Sequence, residues 1–234
     1  GLPMEKVRLY TRDTDKTVGM GPSAGSRMTF MAGNALLNAL EQLQNAFKEV
    51  GSKTYAGLKK AGKATRYEGN FLVAGKTGLD PKTGQGNTHV TQVQNLQLAE
   101  VEVNCETGAV QVLEMTSVVD AGTLINRQSI EGQVEGGMDQ GVGYALREEF
   151  IPGKTSDWVN FKFPTINNSF EIETIFLETY RTNGPLGATG IGEMTMNSTA
   201  PSITNAIYNA CGARVCHLPA TPDKVKALIS ATLK

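Results

Sequence analysis

Net charge, cysteine and long apolar runs are all scarce in this sequence, and each scarcity removes a class of function. Lysine and arginine number 22 against 23 aspartates and glutamates, a formal net charge of −1. Such a balance offers no basic footprint for nucleic acid or for an acidic membrane surface. No apolar run reaches the roughly 20 residues that span a membrane, and residues 1–17 are too polar for a secretory signal. The three cysteines, Cys105, Cys211 and Cys216, are odd in number and sparse, which argues against a disulfide framework. Cys211, Cys216 and His217 lack a fourth ligand and the usual spacing of a zinc site. Reduced structural thiols in a cytoplasmic protein are therefore expected. The chain starts on Gly1 rather than methionine, so a piece of a longer product is expected.

Glycine, by contrast, is abundant, with 26 residues, many inside segments of helical pattern. Each interior glycine costs about 1 kcal/mol against alanine, so a close approach of backbone to a ligand or a neighbour should compensate. Residues 6–10 form a short strand candidate, and residues 19–26 a loop of small side chains. Apolar residues then recur at helical spacing from Met28 to Val50, with Ser26 as the expected N-cap. A short amphipathic helix over 54–65 and a long surface loop over 75–88 follow. Residues 96–120 alternate about the turn Glu106-Thr107-Gly108 and predict a β-hairpin. Residues 129–149 have helical spacing interrupted by Gly132, Gly136, Gly137, Gly141 and Gly143. A strand is predicted over 172–180 and a helix over 200–210, with Pro201 in its first turn and Gly212 at its end. The last helix starts at Thr221-Pro222 and carries Val225, Leu228, Ile229 and Leu233 on one face. Helices mixed with antiparallel hairpins, without regular strand–helix alternation, make the fold class α+β.

Three glycine-rich places could carry chemistry. Gly21-Pro-Ser-Ala-Gly-Ser26 opens the long helix, where exposed amides, the helix dipole and the hydroxyls of Ser23 and Ser26 would favour an anion. An ordinary capped helix after a tight turn explains the same residues. Gly132-Gln133-Val134-Glu135-Gly136-Gly137 could lie against a ligand, to which Gln133 would offer a donor and an acceptor, or against another helix. Gly187-Ala-Thr-Gly-Ile-Gly-Glu193 ends in a single carboxylate between Gly192 and Met194, with little local charge compensation. That setting suits a general base, although from the residues alone a solvated loop glutamate is the favoured reading.

Together, in this order, the three segments resemble the pterin-gripping turn, the Gly-Gln-Val-Glu-Gly helix and the Gly-x-Gly-Glu loop of molybdenum-pterin hydroxylases, the xanthine dehydrogenase and aldehyde oxidoreductase family. The likeness runs on through Glu106-Thr107-Gly108, Asp120-Ala-Gly and Leu218-Pro-Ala-Thr-Pro222, and so covers nearly the whole chain. The segment Gly21-Pro-Ser-Ala-Gly-Ser-Arg27 looks closer to bacterial aldehyde oxidoreductases than to animal xanthine oxidases. The resemblance implies a molybdopterin cofactor, as a dinucleotide, whose sulfurs hold the molybdenum, so that no protein metal ligands are expected. Glu193 would be the catalytic base, Gly25 would lie close to the metal, and Ser23, Ala24, Ser26 and Gln133 would bind the cofactor. It also implies a C-terminal portion of a molybdopterin-binding domain, undivided or as two α+β lobes meeting near residue 90.

Family molybdenum chains are much longer, so an upstream molybdenum-domain segment should complete the pocket. [2Fe–2S] centres and FAD are expected on other domains or subunits, in an oligomer without a membrane span. The implied reaction oxidises an aldehyde to a carboxylic acid with water-derived oxygen. Hydroxylation of an N-heteroaromatic such as a purine is the alternative, and a non-catalytic molybdopterin-binding fragment a third reading. Glu193 separates the carrier from the two catalytic readings, because a carrier has no need of a carboxylate there.

Overall fold

Spacing of the apolar residues after Arg27 produces the first α-helix of the computed structural model, which describes residues 2–11, 13–17, 19 and 21–232. Helix α1 (Met28–Val50) buries Phe30 and Ala46 and ends at Gly51, whose positive φ suits glycine. The cap position is Arg27, and Ser26 stands before it with φ 56, so the expected Ser26 cap is corrected. A serine hydroxyl caps from an extended backbone, which Ser26 does not have. Helix α2 (Tyr55–Lys60) is shorter than predicted; Thr54 caps it through Gly57 N–H, and Gly62, at positive φ, follows its end.

The chain divides into two compact units, residues 1–90 and 91–234. In the first, residues 68–71 run along α1: Gln42 donates to the Glu68 carbonyl at 3.0 Å, and Phe71 meets Phe30 edge-on. The strand candidate at 6–10 does not form. Met4–Lys6 is a 3-10 turn, and no strand exists among the described residues of this unit to pair with the rest. The guanidinium groups of Arg8 and Arg66 lie over Tyr10 instead.

In the second unit, β1 (Gln94–Val103) and β2 (Val110–Asp120) form the predicted hairpin. Asn104 closes its turn by accepting from the N–H groups of Glu106 and Thr107. The register slips between Glu100 and Val101, leaving Leu113 without a partner, so that both Val112 and Met115 face inward. Strand β3 (Glu171–Leu177) joins β2 in parallel, giving the order β1-β2-β3. The α+β class stands with one change: the sheet holds a single hairpin plus a parallel strand reached by a crossover.

That crossover contains α3 (Arg127–Leu146), capped by Asn126, and α4 (Trp158–Phe161). Helices α5 (Met194–Asn197), α6 (Thr199–Cys211) and α7 (Pro222–Thr232) follow. Pro201 lies in the first turn of α6 and Gly212 caps its end, as predicted. Val225 and Ile229 of α7 are buried and Leu228 packs beside them; Leu233 lies outside the described residues. The core gathers Met115 and Val119 from the sheet, Val134 and Met138 from α3, and Ile203 and Ile207 from α6. Side chains of this size contribute about 1.5–3 kcal/mol each when fully buried.

Candidate active site

The loop that carries Glu193 is fixed at both ends. After β3, Asp120 Oδ1 accepts from the N–H groups of Thr179 and Gly122, each at 3.1 Å. Asp120 Oδ2 meets the Arg181 guanidinium at 2.9 Å, and Asp120 is only 5% exposed. Burial pushes the Asp120 carboxyl up, but the Thr179 and Gly122 hydrogen bonds and the Arg181 charge together hold it below its ordinary value. Ala188 bridges to Gly122, and Thr189 N–H donates to the Ala121 carbonyl. The backbone from 187 to 189 is thereby laid across the end of β2.

Beyond it, Ile191 is buried, Gly192 and Glu193 are exposed, and Met194 turns into the core. Glu193 occupies the cap position of α5. Two polar side chains of β1 grip the residues behind it. Asn95 Nδ2 donates to the Met194 carbonyl and to Ser198 Oγ, and Gln97 Nε2 donates to the Thr195 carbonyl at 2.7 Å.

Gln133 comes to the same place from α3. Its carbonyl accepts from Thr195 Oγ1 at 3.2 Å, and its side-chain Oε1 lies 3.3 Å from where a Cβ on Gly192 would stand. The two explanations of the glycine-rich helix divide by position. A Cβ on Gly137 would stand 2.0 Å from Thr195 Oγ1, and one on Gly141 2.4 Å from Thr199 Cβ, so those glycines admit α5 and α6. Gly132 and Gly136, one turn apart beside Gln133, have nothing within 4 Å of the Cβ position and are exposed. They leave bare helix backbone beside an amide.

Ser23, Ala24 and Gly25 belong to the first unit and are exposed on one loop; Ser26 is half-buried. Gly25 has φ +67 and open space at its Cβ position. Arg27 clamps the loop by donating from Nε and a terminal nitrogen to the Pro22 carbonyl, at 2.9 and 2.6 Å. Among the described residues no group of three or more His, Cys, Asp or Glu could hold a metal ion.

Sequence reading missed Asn95, Gln97, Thr195 and the Asp120–Arg181 pair. A signal existed for the first two. Inward alternation from Val103 through Val101 and Ala99 continues to Gln97 and Asn95, and polar residues at inward strand positions need partners.

Residues 1–169 match the family model of the molybdopterin cofactor-binding domain. The chain belongs to that family. It is 37% identical to the aldehyde oxidoreductase of Megalodesulfovibrio gigas over 99% of its own length and 26% of that protein's. The crystal structure of the aldehyde oxidoreductase from Desulfovibrio desulfuricans matches with a TM-score of 0.86 and 39% identity, over 92% of this chain and 24% of that one. A xanthine dehydrogenase molybdenum-binding subunit of Escherichia coli is 31% identical over 60% of this chain and 18% of its own length. The chain thus spans about a quarter of the length of the aldehyde oxidoreductases it matches. Residues of the second unit suit a pterin: bare backbone at Gly132 and Gly136 gives room for a flat group, and the Gln133 amide gives a donor and an acceptor.

Proposed function

We propose that the chain is the C-terminal share of the cofactor-binding chain of a molybdenum hydroxylase that oxidises an aldehyde to a carboxylic acid. The observation that carries this reading is the meeting of Gln133 with Gly192, next to Glu193, on a helix face stripped of side chains. The 37% identity to an aldehyde oxidoreductase supports the substrate class. Aldehyde and water give the acid with release of two electrons and two protons. The molybdenum cofactor, when bound, supplies the two-electron redox chemistry. In the second unit Gln133 hydrogen-bonds the pterin; in the first unit the proposed cofactor-binding residues are Ser23, Ala24, Gly25 and Ser26, of which Gly25 lies close to the metal. A carboxylate oxygen of Glu193 takes the proton from the water-derived oxygen that ends in the product.

The rest belongs to the same reading. An upstream molybdenum-domain segment completes the pocket; its partner surface is supported by Leu96, Leu98, Ile175 and Leu177, which stand exposed on the sheet. The cofactor is a dinucleotide, [2Fe–2S] centres and FAD reside on other domains or subunits, and the enzyme is a cytoplasmic oligomer. No helix among the described residues is long and apolar enough to cross a membrane.

Hydroxylation of an N-heteroaromatic is the second reading, favoured by the identity to the xanthine dehydrogenase subunit. Glu193→Gln in the complete enzyme tests the role of the base. Molybdenum and pterin content should be kept while turnover falls by about 10²–10⁴-fold, the usual worth of a general base. Turnover at the parent rate would eliminate Glu193 as the base, whereas a complete parent assembly that holds cofactor yet turns over neither substrate class would leave the non-catalytic carrier as the better reading. Comparing benzaldehyde with hypoxanthine as substrate separates the two catalytic readings.

A further inference from the structure

Helix α5 is four residues long and cannot hold itself in place, since a single helical turn is unstable alone. Its seat is made by side chains of the sheet. Gln97, 7% exposed, uses both ends of its amide: Nε2 donates to the Thr195 carbonyl at 2.7 Å, and Oε1 accepts from Thr199 Oγ1 at 2.8 Å. Its backbone carbonyl accepts from Ser202 Oγ at 2.9 Å. Thr195 is fully buried, and its hydroxyl donates to the Gln133 carbonyl at 3.2 Å, where Gly137 leaves room for it. One residue, two positions beyond Glu193, is therefore tied to β1 by its carbonyl and to the Gln133 turn of α3 by its hydroxyl.

We propose that Gln97 is a positioning residue for Glu193, setting where that carboxylate stands relative to Gln133; this rests on Glu193 being the base. Among uncharged side chains, an amide offers a donor and an acceptor at the two sides of one planar group, and both are used on the segment behind Glu193. If shape alone mattered, an apolar side chain would fill the site without the cost of burying an amide. Asn95 repeats the arrangement one inward position earlier, holding the Met194 carbonyl and Ser198 while accepting from Ser117 Oγ at 2.9 Å. Neither side chain touches substrate or cofactor; both act through the backbone of α5.

The test uses the complete enzyme, loaded with its cofactor and assayed with benzaldehyde. Gln97→Met keeps the length and removes both hydrogen bonds. It should keep metal and pterin content and leave KM nearly unchanged. Turnover should fall about tenfold or more, since a misplacement near 1 Å costs on the order of 100-fold. In the Glu193→Gln background the same change should add no further loss, because there is no base left to misplace. Amide hydrogen exchange gives a reading independent of activity: exchange over 189–197 should quicken in Gln97→Met while the hairpin turn at 104–109 stays as in the parent. Full turnover in Gln97→Met, or an equal loss in both backgrounds, overturns the positioning role and leaves the base untouched. Parent-rate turnover of Glu193→Gln alone overturns the base, and the positioning role with it. Should Gln97→Met fail to accumulate, Thr199→Val and Thr199→Ser decide. Only the serine variant keeps the hydroxyl on Gln97 Oε1, so it alone should retain turnover; equal turnover in the two overturns the proposal.

Discussion

The carboxylate of Asp120 and the guanidinium of Arg181, 61 residues apart in sequence, meet at 2.9 Å with Asp120 buried and Arg181 largely so. The pair closes the start of the Glu193 loop over the end of β2. Replacing the acid by its amide would leave a cation with little solvent facing an NH2 group, although the amide oxygen can still accept from the two backbone N–H groups that Oδ1 now holds.

Asp120→Asn should therefore lower stability at neutral pH by about 3 kcal/mol, as expected for one partner lost from a buried pair. The pH dependence has a definite sign. The folded protein holds this carboxyl below its ordinary value of 3.8, so its contribution is complete above that value and is lost as pH falls through the folded one. Thermal unfolding of parent and variant, followed from neutral to about pH 3, should show the gap between them shrinking on the acid side. A gap that stays constant across that range would show that ionised Asp120 is not the source of the stability.

The glycines of α3 give opposite results by position. Gly137→Ala places a Cβ 2.0 Å from Thr195 Oγ1, at a site with no slack. It should destabilise by about 1–3 kcal/mol, as overpacking does. Gly132→Ala meets nothing within 4 Å and gains helix propensity, so it should stabilise the cofactor-free chain by about 0.5–1 kcal/mol. If a pterin lies on that face, the same variant should load less cofactor. Chemical denaturation and pterin fluorescence measure the two effects separately; equal pterin loading in parent and Gly132→Ala would remove the cofactor from this face.

These glycines show what could be read in the sequence. Strict spacing made α1 legible, and alternation about Glu106-Thr107-Gly108 did the same for the hairpin, because local pattern and local turn chemistry agree there. The parallel pairing of β3 was not legible: it depends on a crossover through α3 whose geometry no local pattern states. Residue type alone predicts a Ser26 cap, but the Arg27 clamp on Pro22 bends the loop, and the cap position falls one residue on. For the site, resemblance supplied Gln133 and Glu193 as names. The approach of Gln133 to Gly192, the neighbour of Glu193, arises from packing between α3 and α5 over Gly137, which spacing along the chain does not encode.

Gly25→Val addresses the first loop. The backbone at φ +67 disfavours a side chain, and a left-handed conformation costs about 1–2 kcal/mol per residue. Among the described residues nothing lies within 4 Å of a Cβ placed there. The variant should thus lose modest stability and, in the complete enzyme, a much larger share of its molybdenum. Full metal occupancy with parent turnover would place the cofactor away from Gly25.

The parallel attachment of β3 also orders events in time. Closing the hairpin spans only the turn at 104–109, whereas the Asp120–Arg181 contact must gather a segment of 61 residues. Each doubling of a closed loop adds about 0.6 kcal/mol of entropic cost, so the hairpin can form while the Glu193 loop is still loose. By microscopic reversibility, the latch formed late is the one released early. Partial unfolding would then free the loop that carries Glu193 before the β1–β2 hairpin opens.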